Sequence, residues 1–163
     1  MKDEYRFYRN KFNTTRFKGF QVKYLETDLW IGTDPESYRS EMGDVAFARI
    51  KELRQKLDEY IKTEPGFAKT LKPFQPHESA PDEAKEMALA AAKAGIGPMA
   101  SVAGLFARKA GNAISQNFSV KELVIENGGD IFALLKHKLV LSVFAGNSPL
   151  SEKIGLQITP GVS

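Results

Sequence analysis

Apolar and polar positions along this chain fall into a succession of distinct periods. From Gln21 to Ile31 they alternate, with Val22, Tyr24, Leu29 and Ile31 set among Lys23, Glu26 and Asp28. This predicts a long strand, kinked near Glu26-Thr27-Asp28 and ending at Gly32. Asp34-Pro35 then marks a turn. From Glu41 to Thr63 the spacing changes to threes and fours, at Val45, Phe47, Ile50, Leu53, Leu57, Tyr60 and Ile61, which predicts an amphipathic helix. Its other side carries Glu52, Arg54, Lys56, Asp58 and Glu59 and reads as a solvated face. Residues 64–81, punctuated by Gly66, Pro73, Pro76 and Pro81, read as a loop anchored in the core by Phe67, Leu71 and Phe74.

Beyond that loop, Pro81-Asp82-Glu83 supplies a capping acid and early-turn carboxylates for a helix from Asp82 to Lys93, closed by Gly95. A second helix begins after Gly97-Pro98, because proline suits a first helical turn. Its small residues Ala100, Ala103, Gly104 and Ala107 share one side. That side fits close packing on a sheet, and it also fits the approach of a flat ligand. Next comes Leu123 to Phe132, in which an apolar strand runs into two glycines, an acid and a second apolar strand. Further strands are predicted at Val140 to Phe144, after the Lys136-His137-Lys138 turn, and at Ile154 to Ile158.

At 163 residues, 42% hydrophobic and 26% charged, the sequence suits one domain with a sizeable core, and residues 1–163 show no composition break. Apolar runs are too short to span a bilayer, and Met1 to Tyr5 lacks the features of a signal peptide, so a cytoplasmic location is expected. The lack of cysteine excludes thiolate nucleophiles and Cys-ligated metals from these residues. Two histidines, His77 and His137, sit in turn-like contexts and read as surface groups.

Residues 1–24 hold seven basic and two acidic side chains, so the net charge of +3 belongs to this segment. Tyr5, Phe7, Tyr8, Phe12, Phe17 and Phe20 interleave there with Arg6, Arg9, Lys11, Arg16 and Lys18. Such a mixture can stack bases and contact phosphates. Period-two alternation around Asn13-Thr14-Thr15 instead favours a hairpin with an aromatic core face, and leaves nucleic acid the weaker option.

Candidate chemistry concentrates at two glycine-bearing bends. Gly97-Pro98-Met99 would present a helix N-terminus to an anion such as phosphate. Gly95 to Ala100 also matches a loose G-x-G-x-x-A pattern, but an Ala-rich helical run precedes it where a dinucleotide fold requires a strand. Asn127-Gly128-Gly129-Asp130 reads as a tight hairpin turn and equally as a loop lining a ligand, and these readings are compatible. Glu26, Asp28, Glu126 and Asp130 are carboxylates that a fold could gather, Asp130 foremost because it adjoins the glycine pair. No nucleophile elbow, P-loop, His-Glu-x-x-His or EF-hand spacing occurs.

Gly97 to Gly104, Val124 to Ile131 and Phe144 to Leu156 resemble signature segments of the uncharacterised branch of the ApbE-like superfamily. Glu26 to Ile31, Arg54 to Pro65 and Pro73 fit the same family, so the resemblance covers nearly the whole chain. It implies an α+β fold, with a mainly antiparallel sheet covered on one side by about three helices. Its best-known relatives are FAD:protein FMN transferases, which bind FAD and, with magnesium, attach FMN to a Thr or Ser of a target protein. Their Asn-x-Gly-Gly-Asp-type segment lines the flavin, which by position implies Asn127, Gly128, Gly129 and Asp130 as cofactor contacts.

Two departures qualify this. The central Asp- and Lys-containing motifs of true transferases are not evident, and the sequence halts at Thr159 to Ser163, where family members continue into a portion carrying the metal-binding cluster. The expectation is therefore a flavin- or nucleotide-binding relative, with magnesium ligands mostly outside these residues and catalysis in doubt. A metabolic accessory of the sulfur-assimilation type without flavin, or a structural subunit, are the alternatives. An open sheet edge would favour a homo-oligomer or pairing with a C-terminal fragment.

Overall fold

The computed structural model describes residue 9 and residues 15–161. Of the hairpin expected around Asn13-Thr14-Thr15, Arg9 and the residues from Thr15 onward are described, and Tyr5, Arg6, Phe7, Tyr8, Lys11, Phe12, Asn13 and Thr14 lie outside the described residues. Six strands and four α-helices follow in chain order: β1 Lys18–Tyr24, β2 Thr27–Thr33, α1 Met42–Thr63, α2 Pro65–Lys69, α3 Asp82–Lys93, α4 Val102–Asn117, β3 Leu123–Asn127, β4 Asp130–Leu134, β5 Leu139–Ser142 and β6 Gly155–Ile158. A 3-10 turn, Pro98–Ser101, leads into α4. Strands β1 to β4 form one antiparallel sheet in sequence order, and β5 and β6 pair in a separate two-stranded ribbon. The architecture is the α+β class expected.

The strand expected from Gln21 to Ile31 is instead a hairpin. Tyr24 pairs with Thr27, and the chain reverses at Leu25-Glu26 with Leu25 at a φ of 54°. Alternation alone misses this turn because neither residue is one of the usual turn formers; cross-strand packing of Val22 against Leu29 and Phe20 against Ile31 outweighs the strain.

One face of the sheet holds Val22, Leu29, Ile31, Leu123 and Ile125, all buried, under α1 and α4. Burial of each such side chain contributes about 1.5–3 kcal/mol. Helix α1 buries Met42, Ala46, Ile50, Leu53, Leu57 and Tyr60, a stripe at spacings of three and four. Phe47 is on its margin, half-exposed and edge-on to Tyr24 at 5.6 Å. Helix α3 packs on α1, α4 and the 3-10 turn through Ala84, Met87, Ala88 and Ala91. Among the described residues no single helix is long and apolar enough to cross a membrane.

The other face is covered as well. Trp30 lies flat across Gly19 and Gly32, where an added Cβ would fall 2.8 Å and 2.4 Å from the indole. Phe17, Val124 and Glu126 are buried there, and Arg9 reaches over the sheet to Asp28 and Glu126.

Three further differences have local causes. Residues 64–81 are not all loop: Pro65 opens α2, whose Phe67 is fully buried against Tyr60 and Phe74. Leu71 is no anchor and is 86% exposed, since the chain there runs over Gly97 with main chain inward. Asp82 is the first residue of α3 and not its cap; Pro81 occupies that position and makes no side-chain hydrogen bond, leaving Asp82 and Glu83 to act on the helix dipole.

Candidate functional site

Strand β3 is buried along its length and delivers the chain to the turn at Gly128-Gly129. Their φ angles, 62° and 103°, are those of a two-residue hairpin turn that a side chain would strain, and Asn127 pairs with Asp130 across it. Three contacts fix this turn. Glu126 accepts the Gly129 N–H through Oε1 at 2.9 Å. Asn127 donates through Nδ2 to the Ala103 carbonyl at 3.0 Å, fastening the turn to the start of α4. The Asp130 carboxylate then lies over Gly104, where an added Cβ would come within 3.3 Å of Oδ1.

Gly104 and Gly111 are thus bare because β4 sits on them. At Gly111 an added Cβ would fall 2.2 Å from the Phe132 ring, and Ala107 between them is fully buried. The small-residue side of α4 serves close packing on the sheet. Asp130 itself makes no side-chain hydrogen bond or ion pair among the described residues. Loss of solvent against the helix raises its carboxyl above the usual range.

The Gly97 bend has a different environment. An added Cβ at Gly97 would lie 2.0 Å from the Thr70 carbonyl oxygen, so the main chain of Thr70 and Leu71 occupies that side. Pro98 is fully buried and Met99 packs on the core. Ser101 donates to the Met87 and Pro98 carbonyls, closing the 3-10 turn against α3. The fold therefore brings Asn127, Gly128, Gly129 and Asp130 together at the first turn of α4, and sets Gly97, Pro98 and Met99 one 3-10 turn earlier, in packed surroundings.

Of the four carboxylates singled out in the sequence, Asp28 and Glu126 meet through Arg9, Asp130 stands on the opposite face, and Glu26 pairs with Arg54 elsewhere. Arg9 donates through Nε to Glu126 at 2.7 Å and through its terminal nitrogens to the side chain and carbonyl of Asp28, both at 2.8 Å. Burial works against the Arg9 charge, but the Asp28 hydrogen bond and the neighbouring Glu126 charge outweigh it and raise its pKa. Sequence reasoning missed this role for Arg9, because a basic residue in a basic segment carries no sign of a partner 117 positions away.

At the far end of β3, Asp34 and Glu122 form a second polar centre that the sequence did not signal. Asp34 accepts the N–H groups of Lys121 and Glu122 at 3.0 Å each and the Ser37 hydroxyl at 2.8 Å. Glu122 accepts two bonds from Arg16, at 2.8 Å and 3.0 Å, and the N–H groups of Lys136 and His137 at 2.9 Å and 3.1 Å. Arg16, against the opposing effect of burial and with those N–H groups, holds the Glu122 carboxyl at about 2. A cleft of about 320 Å³ opens here between Asp34, Glu36, Lys121, Lys136 and His137. Its two central carboxylates are spent on holding main chain. Both histidines are exposed, as expected, and His77 pairs only with its neighbour Ser79 at 2.8 Å. No group of three or more His, Asp or Glu side chains among the described residues could hold a metal.

A four-stranded antiparallel sheet under a helical layer, with a glycine turn docked on a helix start, defines an α+β protein. The family model described as "AbpE bacteria" matches residues 9–163, and the chain belongs to that family. It is 36% identical over 139 residues to a UPF0280 protein of Methanococcus vannielii, covering 85% of this chain and 54% of that one. A UPF0280 protein of Methanospirillum hungatei is 39% identical over 117 residues, covering 72% and 47%. The chain spans about half the length of these curated relatives.

Proposed function

We propose that this chain binds a flavin or related nucleotide at the β3–β4 turn, as a relative of the FAD:protein FMN transferases of the ApbE-like superfamily. One observation carries the reading: Asp130, without a side-chain partner among the described residues, is held over Gly104 beside Gly129, where an added Cβ would meet nothing within 4 Å although the Gly129 N–H is taken by Glu126. An open turn of this kind admits a flat ring close to main-chain groups. A carboxylate suits ring N–H or sugar hydroxyl donors and repels phosphate, so the anionic part of a dinucleotide belongs away from Asp130. Gly97, Pro98 and Met99 would support the start of α4 from within the packed interior and not act as an anion cradle. Magnesium would find one carboxylate at Asp130 and take its remaining ligands from beyond the described residues. FAD supplies the FMN group when bound in the transferases; catalysis in the whole protein, including the length its relatives carry beyond the match, is part of the proposal.

The occupied side of Gly97 favours a second reading, a metabolic accessory using the scaffold without flavin. Titration with FAD, with and without magnesium, followed by flavin fluorescence and thermal shift separates the two. Saturation at a hundredfold excess over the dissociation constant should stabilise the fold by about 2.7 kcal/mol. No shift at that excess over a micromolar-range affinity overturns the flavin reading. Gly129→Val should abolish the response with circular dichroism unchanged.

A further inference from the structure

We infer that Arg9 and Glu126 are positioning residues for the β3–β4 turn, so that ligand binding at Gly128 to Asp130 depends on Arg9. The inference rests on the binding reading above and extends it to residues on the opposite face of the sheet. Among the described residues, the Glu126 carboxylate reaches two partners. One oxygen accepts the Gly129 N–H at 2.9 Å, and the other accepts Arg9 Nε at 2.7 Å. Arg9 is in turn held by the side chain and carbonyl of Asp28, on the neighbouring strand β2. Both Arg9 and Glu126 are buried, 7% and 3% exposed, so loss of either bond would leave a desolvated polar group. On the other face Asn127 ties the turn to Ala103. The turn is gripped from both sides of the sheet, and Asp130 is the next residue out. A charge-assisted bond from Glu126 therefore sets where the Gly129 main chain, and with it the Asp130 carboxylate, can stand.

Glu126→Gln keeps the shape and one acceptor but turns a neutral amide toward Arg9, and Arg9→Met removes the cation. Each variant should speed hydrogen exchange at the Gly129 amide about tenfold and weaken FAD affinity by a similar factor. Glu122→Gln is the control, since it loosens the Arg16 clamp at the other end of the same strand. It should lower the melting temperature while leaving Gly129 exchange and FAD affinity unchanged. Equal effects from Glu122→Gln and Glu126→Gln would reduce the network to general stability and overturn the inference, as would unchanged Gly129 exchange in Glu126→Gln. If Arg9→Met does not fold, Arg9→Lys, which retains charge but cannot bridge both carboxylates, should give an intermediate exchange rate. An absence of FAD binding by the unaltered protein ends the flavin reading alone, because exchange at Gly129 still decides whether Arg9 and Glu126 set the turn.

Discussion

A methyl group placed on Gly97 would sit 2.0 Å from the Thr70 carbonyl oxygen, whereas one placed on Gly129 would meet no atom within 4 Å and would instead strain a φ of 103°. Two glycines that look alike in the sequence are thus required for opposite reasons, one by a neighbour and one by its own dihedral. Gly97→Ala should destabilise the protein by about 1–3 kcal/mol, because main chain at Thr70 has to move. At this chain length that is roughly 2–4 °C of melting temperature per kcal/mol, readable by calorimetry without any ligand. An unchanged melting temperature would mean that the 70–71 segment is not seated on Gly97. Asp130 belongs to this scale too. Its side chain is neither packed away nor paired, which distinguishes it from Asp34, Glu122 and Glu126, whose oxygens hold main-chain N–H groups.

Elements with a strong period were legible in the sequence, and helices from Glu41 to Thr63 and Asp82 to Lys93 stand within a residue of those bounds. The β3–β4 hairpin was legible for the same reason, since Asn-Gly-Gly-Asp needs positive φ and apolar strands flank it. Leu25-Glu26 was not, because its reversal is imposed by pairing across β1 and β2. The strand at Val140 was found, but the separation of β5 and β6 from the main sheet depends on long-range partners that periodicity does not report. The candidate turn could be read locally; the grip on it from Arg9 and Ala103 could not. Polar staples between elements carry a pH signature. Glu122 has a folded-state pKa of about 2, below its ordinary 4.5, so its contribution is full above about pH 4.5 and is lost as the pH falls toward 2. Glu122→Gln should flatten this acid limb and cost about 1–3 kcal/mol at neutral pH, measured by denaturant melts across that range. An unaltered acid limb would remove Arg16 and the 136–137 main chain from the account.

At the scale of the whole molecule, helices cover one face of the sheet, Arg9 and Phe17 lie on the other, and among the described residues β1 and β4 are the sheet's edges and β5–β6 pairs apart from it. Isolated two-stranded ribbons are marginal in water, and this one exposes Val140 and Leu156 at 62% and 65%. Self-association, or pairing with the remaining length seen in the relatives, is the expected remedy. Sedimentation velocity at rising concentration should therefore reveal larger species, and Val140→Lys combined with Leu156→Lys should return them to monomer. Monomer throughout, with the ribbon protected from exchange, would sink this expectation. Trp30, the chain's single tryptophan, lies across Gly19 and Gly32 and is registered opposite Glu126. The molecule therefore carries its own optical gauge: indole emission overlaps flavin absorption, so a chromophore lodged near the turn would dim this lamp by energy transfer, with no label attached.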